Sequence, residues 1–158
     1  MKRSPDYFHN RKMLRQLSYD TPKFRPTVKD VEEWFDILNE QLFGNKLDPF
    51  GKISIKRHKR FHALFHYWPK RENRPTELTV YRKFRNKKLF VEILAHEMIH
   101  QYQWEVEGPR RMTRGLRYRF GHGKSFFRWR AKFNKFGIPL TVYGDHHSVI
   151  RDRDIWSL

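Results

Sequence analysis

Two histidines and a glutamate have a spacing that can bind a metal ion and activate water: His96-Glu97-Met98-Ile99-His100. On a helix, residues four apart lie on one face, with their β-carbons roughly 5–6 Å apart. Two imidazoles placed in this way can bind one small cation from the same side, and Glu97 stays free to act as a base. Zinc-dependent peptidases use this arrangement.

The residues around this motif predict a buried helix. Residues 88–104 read KLFVEILAHEMIHQYQW, without Pro or Gly, and Leu89 and Ile93 share a stripe with the two histidines. A helix that is apolar almost all round is a buried one. The alternative is a pair of core histidines satisfied by hydrogen bonds. Buried imidazoles and a carboxylate would then need several partners, whereas one metal ion satisfies all of them.

A catalytic zinc usually takes three protein ligands. One peptidase class places Gly and a third His shortly after the pair, at positions where this chain has Gln103 and Val106, so that class is excluded. Glu107 is the last Glu of the chain, and Glu105 and Glu107 lie too close along the same helix to complete a site comfortably.

The remaining candidates for the third ligand lie downstream, and they are His122, His146, His147 and three aspartates. We favour His122, because the glycines that flank it at 121 and 123 let the backbone turn sharply and approach closely. The terminal pair has an alternative interpretation as part of a surface turn.

Periodicity predicts the elements that hold this helix in place. Thr27 is a candidate N-cap for a helix of apolar spacing that ends at Gly44. Three runs at 52–56, 61–68 and 77–81 predict strands, and the short link 57–60 suggests that the first two form a hairpin. We interpret His58, His62 and His66 as polar or stacking residues. Residues 125–136 predict a third helix, ended by Gly137 and Pro139, and a β-like run follows at 140–143.

These elements predict one α+β domain over residues 27–144, with a small antiparallel or mixed three-stranded sheet and about three helices. Residues 1–26 are basic and rich in Pro, and we expect a flexible arm with helical character only around residues 10–17. Residues 145–158 form a polar tail. The start of the chain has no apolar leader and no stretch suits a membrane span, so we expect a cytoplasmic protein, nucleoid-associated in a bacterial host.

The chain carries no Cys, so zinc must be held by His and carboxylate. Its net charge is +17, which favours polyanionic partners. Residues 108–144 carry ten basic residues and no acidic one, and aromatic residues make up 16% of the chain. Rings interleaved with cations favour nucleic acid, because bases stack on rings. We expect weak sequence preference and contacts from Arg110, Arg111, Arg114, Arg117, Arg119, Lys124 and Arg128.

The chain resembles the SprT-like metalloprotease family, which includes the Spartan proteases. The matching parts are the helix around Asn39 with its Leu42-Phe43-Gly44-Asn45-Lys46-Leu47 end, the histidine motif, and His122-Gly123-Lys124-Ser125-Phe126. The resemblance implies a zincin-like domain, with zinc on His96, His100 and His122 and with Glu97 as catalytic base. It also implies proteolysis of proteins crosslinked to DNA, a DNA-repair activity. Many bacterial members carry a Cys zinc ribbon and the eukaryotic ones carry partner-binding modules; these 158 residues show neither, so we expect DNA contact to come from the basic surface itself.

The leading hypothesis is a zinc metalloendopeptidase that acts on DNA-associated proteins and is recruited to single-stranded or partly unpaired DNA through its basic surface. An Arg or Tyr within 110–119, or Tyr143, would stabilise the oxyanion. The alternative from another class is a nucleic-acid-binding protein with a structural, four-coordinate zinc and no proteolysis. A further enzymatic alternative is hydrolysis of a small amide, which the charge disfavours.

Overall fold

The computed structural model describes residues 3–57, 62–108 and 124–140. In this part the chain forms an α+β domain whose three main helices are α1 (Tyr7–Arg15), α2 (Val28–Phe43) and α3 (Lys87–Tyr102). The strands are β1 (Lys52–Lys56), β2 (Ala63–His66) and β3 (Glu77–Tyr81), and two short helices follow, α4 (Lys124–Phe127) and α5 (Arg130–Asn134). The prediction of an α+β chain with a small sheet is confirmed.

Helix α2 begins and ends where its sequence predicts. The Thr27 hydroxyl accepts a hydrogen bond from the Asp30 N–H at 3.1 Å, and the Asp30 carboxylate accepts from the Thr27 N–H at 2.9 Å, which is a capping box. Gly44 ends the helix with φ 62°, in the left-handed region that favours glycine. The apolar face of α2 is buried, with Val31, Leu38 and Leu42 fully inaccessible.

The sheet is mixed, in the order β1-β3-β2. Strand β1 pairs with β3 in parallel and β2 pairs with β3 antiparallel, so the predicted hairpin of the first two strands is wrong. Leu78 and Val80 of β3 are 1% and 2% exposed, whereas Ile53 and Ile55 of β1 are only partly buried. Strand β3 takes the centre, so its backbone groups pair with a neighbouring strand on both edges. Strand β2 lies at the edge, beside α3.

Helix α3 starts at the N-cap Asn86, whose side chain accepts a hydrogen bond from the Leu89 N–H at 2.8 Å. It is buried on nearly every side, as predicted, and it continues into one π-helical turn, Gln103–Glu107. The single helix predicted for 125–136 is instead two short ones, α4 and α5. The break allows Phe126 to contact the two histidines while Trp129 packs on Phe43 of α2, with ring centroids 4.7 Å apart.

Residues 3–26, expected to be a flexible arm, contain α1 and pack against α2 in the structure. Leu14 is 1% exposed and belongs to the main core. The Gln41 side-chain amide donates to the Tyr7 carbonyl at 2.9 Å, and the Ser4 hydroxyl donates to the Glu40 carboxylate at 2.9 Å. One fully buried leucine on a helix that also exposes Phe8 is too weak a sequence signal to distinguish a docked helix from a tail.

Among the described residues no helix is long and apolar enough to cross a membrane. Leu140, where the β-like run 140–143 was predicted to begin, is 5% exposed. The rest of that run and the polar tail at 145–158 lie outside the described residues.

Candidate metal centre

Helix α3 places the two predicted metal ligands side by side. The rings of His96 and His100 have centroids 5.1 Å apart, and the residues are 8% and 0% exposed. Phe126 of α4 packs against both rings, with centroid distances of 4.8 Å to His96 and 5.3 Å to His100. The pair therefore packs against a buried aromatic ring on the side of α4.

Glu97 lies between the histidine pair and the edge strand. It is fully buried, and its Oε2 accepts a hydrogen bond from the Phe65 N–H of β2 at 3.2 Å. Burial raises the pKa of Glu97 well above its ordinary value, and the Phe65 N–H opposes this shift. The other carboxylate oxygen, Oε1, is buried and has no hydrogen-bond partner within the described residues. A carboxylate oxygen in this condition is costly unless a cation or a water faces it.

Two consecutive side-chain hydrogen bonds orient His100. These bonds were not predicted from the sequence. The His100 Nδ1 lies 2.9 Å from the Gln103 Oε1, and the Gln103 amide nitrogen donates to the Ser125 hydroxyl at 2.6 Å. Because the amide oxygen can only accept, Nδ1 carries the proton and Nε2 keeps its lone pair. A buried Gln three residues after the second His was the available signal, since i and i+3 share a face.

These donors fit a zinc ion. Two imidazoles lie on one helix face, one of them held by an outer partner, and zinc commonly binds imidazole nitrogen. The orphaned Glu97 oxygen needs an electropositive neighbour. Within the described residues no three metal-binding side chains cluster. The predicted third ligand His122 and its alternatives His146 and His147 lie outside those residues.

The other titratable residues near the motif have different roles. The Glu105 carboxylate accepts from the Asp48 N–H and from the Gln101 side chain, each at 3.0 Å. His62 stacks on Phe84 at 5.3 Å, and burial followed by Arg85 lowers its pKa to about 4. His66 stacks on Trp68 and shares a hydrogen bond with Thr79.

Two of the residues predicted to contact nucleic acid, Lys124 and Arg128, lie in the part of the chain that the structure describes. Lys124 is exposed at the start of α4. Arg128 forms an ion pair with Glu107 at 3.0 Å and lies over the Tyr102 and Trp129 rings, so part of its charge is used within the chain. Arg110, Arg111, Arg114, Arg117 and Arg119, and the oxyanion candidates, including Tyr143, lie outside the described residues.

Comparison with known proteins gives one family. A family model described as the SprT-like family matches residues 31–144, which include α2, the sheet, α3 and the two short helices. No curated protein matches the chain.

Proposed function

Because the chain belongs to the SprT-like family, which is generally one of zinc-dependent metalloproteases, we propose that it is a zinc metalloendopeptidase acting on DNA-associated or DNA-crosslinked proteins. One observation carries the proposal. A single buried helix presents two adjacent imidazoles, and the carboxylate between them in sequence is fixed to the edge strand by the Phe65 N–H. A structural zinc site has no use for that carboxylate.

His96 and His100 would hold the ion, and we propose His122 as the third ligand. Phe126, only four residues after His122 in the sequence, packs on both imidazoles, which supports a ligand from that segment. Bound there, zinc would polarise the scissile carbonyl and make a water molecule acidic enough to be deprotonated near neutral pH.

Glu97 would act as the general base. Its hydrogen bond to the edge strand fixes the carboxylate, so Oε1 can accept the proton of the attacking water without reorienting. The same carboxyl group would then donate that proton to the leaving amine. Its burial excludes bulk water, which would otherwise compete for the proton.

The free edge of β2 would bind an extended substrate. The His62 carbonyl accepts from the Tyr81 N–H at 2.7 Å, so the backbone groups of His62 and of alternate residues after it face β3. Those of Ala63 and Phe65 face the other way, and the Phe65 N–H contacts Glu97. A peptide paired with this edge would pass beside the catalytic carboxylate.

The first test is cleavage of a DNA-bound basic protein by the zinc-loaded chain, with and without single-stranded DNA, beside Glu97→Gln. We expect Glu97→Gln to keep its zinc, because the ligands are intact, and to lose at least a hundredfold in turnover. Zinc per chain is measured by atomic spectroscopy on the same samples. Unchanged cleavage by Glu97→Gln would refute the mechanism.

Cleavage that requires Glu97 but not DNA would keep the protease and remove the DNA recruitment. Zinc and DNA binding without any cleavage would favour the other class, a nucleic-acid-binding protein with a structural zinc. In that case His122→Ala and a variant of the His146–His147 pair would each lower zinc affinity, because structural sites are four-coordinate.

A further inference from the structure

A second set of cations lies far from the 110–128 stretch in the sequence. Residues 82–88 read RKFRNKK, with five Lys or Arg among seven residues, and residues 21–29 contain three more. Neither segment contains Asp or Glu. In the sequence the two segments are separate, and residue 82 comes 53 positions after residue 29.

A short antiparallel bridge joins the two segments. The Phe24 N–H donates to the Phe84 carbonyl at 2.9 Å, and the Phe84 N–H donates to the Phe24 carbonyl at 2.8 Å. Both rings pack on Phe90 of α3, with centroid distances of 5.1 and 5.5 Å. Because side chains alternate along extended backbone, the residues on either side of each phenylalanine must point outward. We call these four residues the bridge patch: Lys23, Arg25, Lys83 and Arg85.

The bridge patch is a concentrated and uncompensated positive charge. Three of its side chains are exposed and Lys83 is intermediate, and none forms an ion pair within the described residues. The neighbouring Lys23, then Arg25 and Arg82, lower the pKa of Lys83, which shows how closely the cations approach one another. Like charges held together in this way repel until an anion binds between them.

Helix α3 adds further positive charge beside the bridge patch. Its first turn contains Lys87 and Lys88 and no acidic residue, although the positive end of the helix dipole disfavours cations there. The Lys87 ammonium group lies 5.5 Å from the Phe24 ring centroid, so it borders the bridge patch. Phosphate groups would be favoured here both by the side chains and by the helix end.

We infer that the bridge patch is a docking surface for the phosphate backbone of DNA, additional to the 110–128 stretch. The choice of DNA rests on the proposed function. The alternative polyanion is a membrane surface, whose binding sites combine cations with exposed apolar side chains. The large exposed apolar residues of the described chain are Phe8, Val28, Tyr67 and Val106. Val28 is the one member of this set in the two basic segments, and a single exposed valine does not make the apolar face of a membrane-binding surface.

The geometry relates this surface to the candidate metal centre. Asn86 caps α3 beside the bridge patch and His96 follows ten residues later, which is about 15 Å along the helix axis. DNA bound at the start of α3 would leave the edge strand and the histidine pair open to a protein attached to that DNA.

The test replaces all four bridge-patch residues with Gln in the Glu97→Gln background, so that self-cleavage cannot interfere. The matched control replaces four exposed cations outside both basic segments and has the same net charge; these are Lys12, Lys46, Lys52 and Arg71. Binding of short fluorescent DNA, single-stranded and duplex, is measured against salt concentration. The slope of log Kobs against log salt should be smaller in magnitude by about 3 for the bridge-patch variant than for the parent chain. Near physiological salt, the DNA affinity of the variant should be lower by on the order of tenfold or more.

The control variant should change the slope by less than about 1, because dispersed cations contact few phosphates at once. Equal slopes for the two variants would overturn the inference. So would a bridge-patch variant that loses binding to phosphatidylserine vesicles while its DNA binding stays at the control level. The binding assay does not depend on turnover, so failure of cleavage in the active chain refutes the protease proposal alone.

Discussion

At the scale of single residues, Gln103 is the unexpected member of the candidate metal centre. It is fully buried, contacts His100 through its amide oxygen, and reaches Ser125 of α4 through its amide nitrogen. It therefore connects the ligand helix to the segment that follows the predicted third ligand. Outer partners of this kind fix the tautomer and orientation of a ligand histidine.

Replacing Gln103 should weaken zinc binding without removing a ligand. We expect Gln103→Leu to lower zinc affinity by roughly 10- to 100-fold, because the His100 Nδ1 proton loses its acceptor. Gln103→Glu should restore most of the affinity, since a carboxylate can accept from both Nδ1 and the Ser125 hydroxyl. Competition with a chromophoric chelator gives the dissociation constants. Gln101→Leu is the matched control, and equal losses in Gln101→Leu and Gln103→Leu would show a general packing effect instead.

His62 should make the stability of the fold depend on pH. Its pKa lies at about 4 in the folded chain, mainly because of burial, and at about 6.5 when unfolded. Between these values only the unfolded chain binds the proton, so the free energy of unfolding should fall as the pH drops through this window. The loss at a pH near 4.5 should be about 2 to 3 kcal/mol.

The experiment compares urea unfolding of the native chain and of His62→Phe, at a pH of about 7.5 and of about 4.5, with a chelator present throughout. The phenyl ring keeps the stacking on Phe84 but cannot bind a proton. The native chain should lose more free energy of unfolding between the two conditions than the variant loses. The difference isolates His62 from the other histidines, and equal losses would contradict the assignment.

At the scale of elements, the local sequence was sufficient to predict a helix where the chain has clear capping residues or a long apolar run. The capping residues of α2 and the apolar run of α3 define both helices without tertiary information. The pairing of strands is different, because alternation shows that a strand exists and says nothing about its neighbours. The β1–β2 hairpin was wrong because β3 lies between the two strands. The break between α4 and α5 also depends on packing, through the contacts of Phe126 and Trp129.

Helix α1 offers a direct test of whether the N-terminal segment belongs to the folded unit. Leu14 is 1% exposed and part of the core, so Leu14→Ala should cost about 2–4 kcal/mol of unfolding free energy. Lys12→Ala, on the exposed face of the same helix, should stay within about 0.5 kcal/mol of the native chain. Chemical denaturation of both variants gives these values. If Leu14→Ala left the free energy of unfolding unchanged, residues 3–26 would be the flexible arm that the sequence suggested.

At the scale of the whole molecule, the charge of +17 is spatially organised in a way that the sequence cannot reveal. The basic run at 82–88 is evident in the sequence, but only the Phe24–Phe84 bridge brings the cations at 23 and 25 beside it. Conversely, Arg128 belongs to the basic stretch at 110–128 and yet pairs with Glu107. Density of charge along the sequence therefore does not define a docking surface, because the pairing of backbone segments decides which cations lie together.

Because the bridge patch lies apart from the candidate metal centre, we expect salt to weaken DNA binding without changing the rate of peptide-bond hydrolysis. Cleavage of a short peptide should need Glu97 and vary by less than about twofold between 50 and 200 mM salt, because the carboxylate and the histidine pair are buried and poorly screened. Cleavage of a DNA-bound protein should fall by about a hundredfold over the same range if about four phosphate contacts are lost. On the DNA-bound protein, the bridge-patch variant should show a shallower salt dependence than the native chain, because the cations of the 110–128 stretch remain, and it should keep its peptide activity. If peptide cleavage fell with salt as steeply as cleavage of the DNA-bound protein, the cations would be acting on the catalytic step and not on the recruitment of DNA.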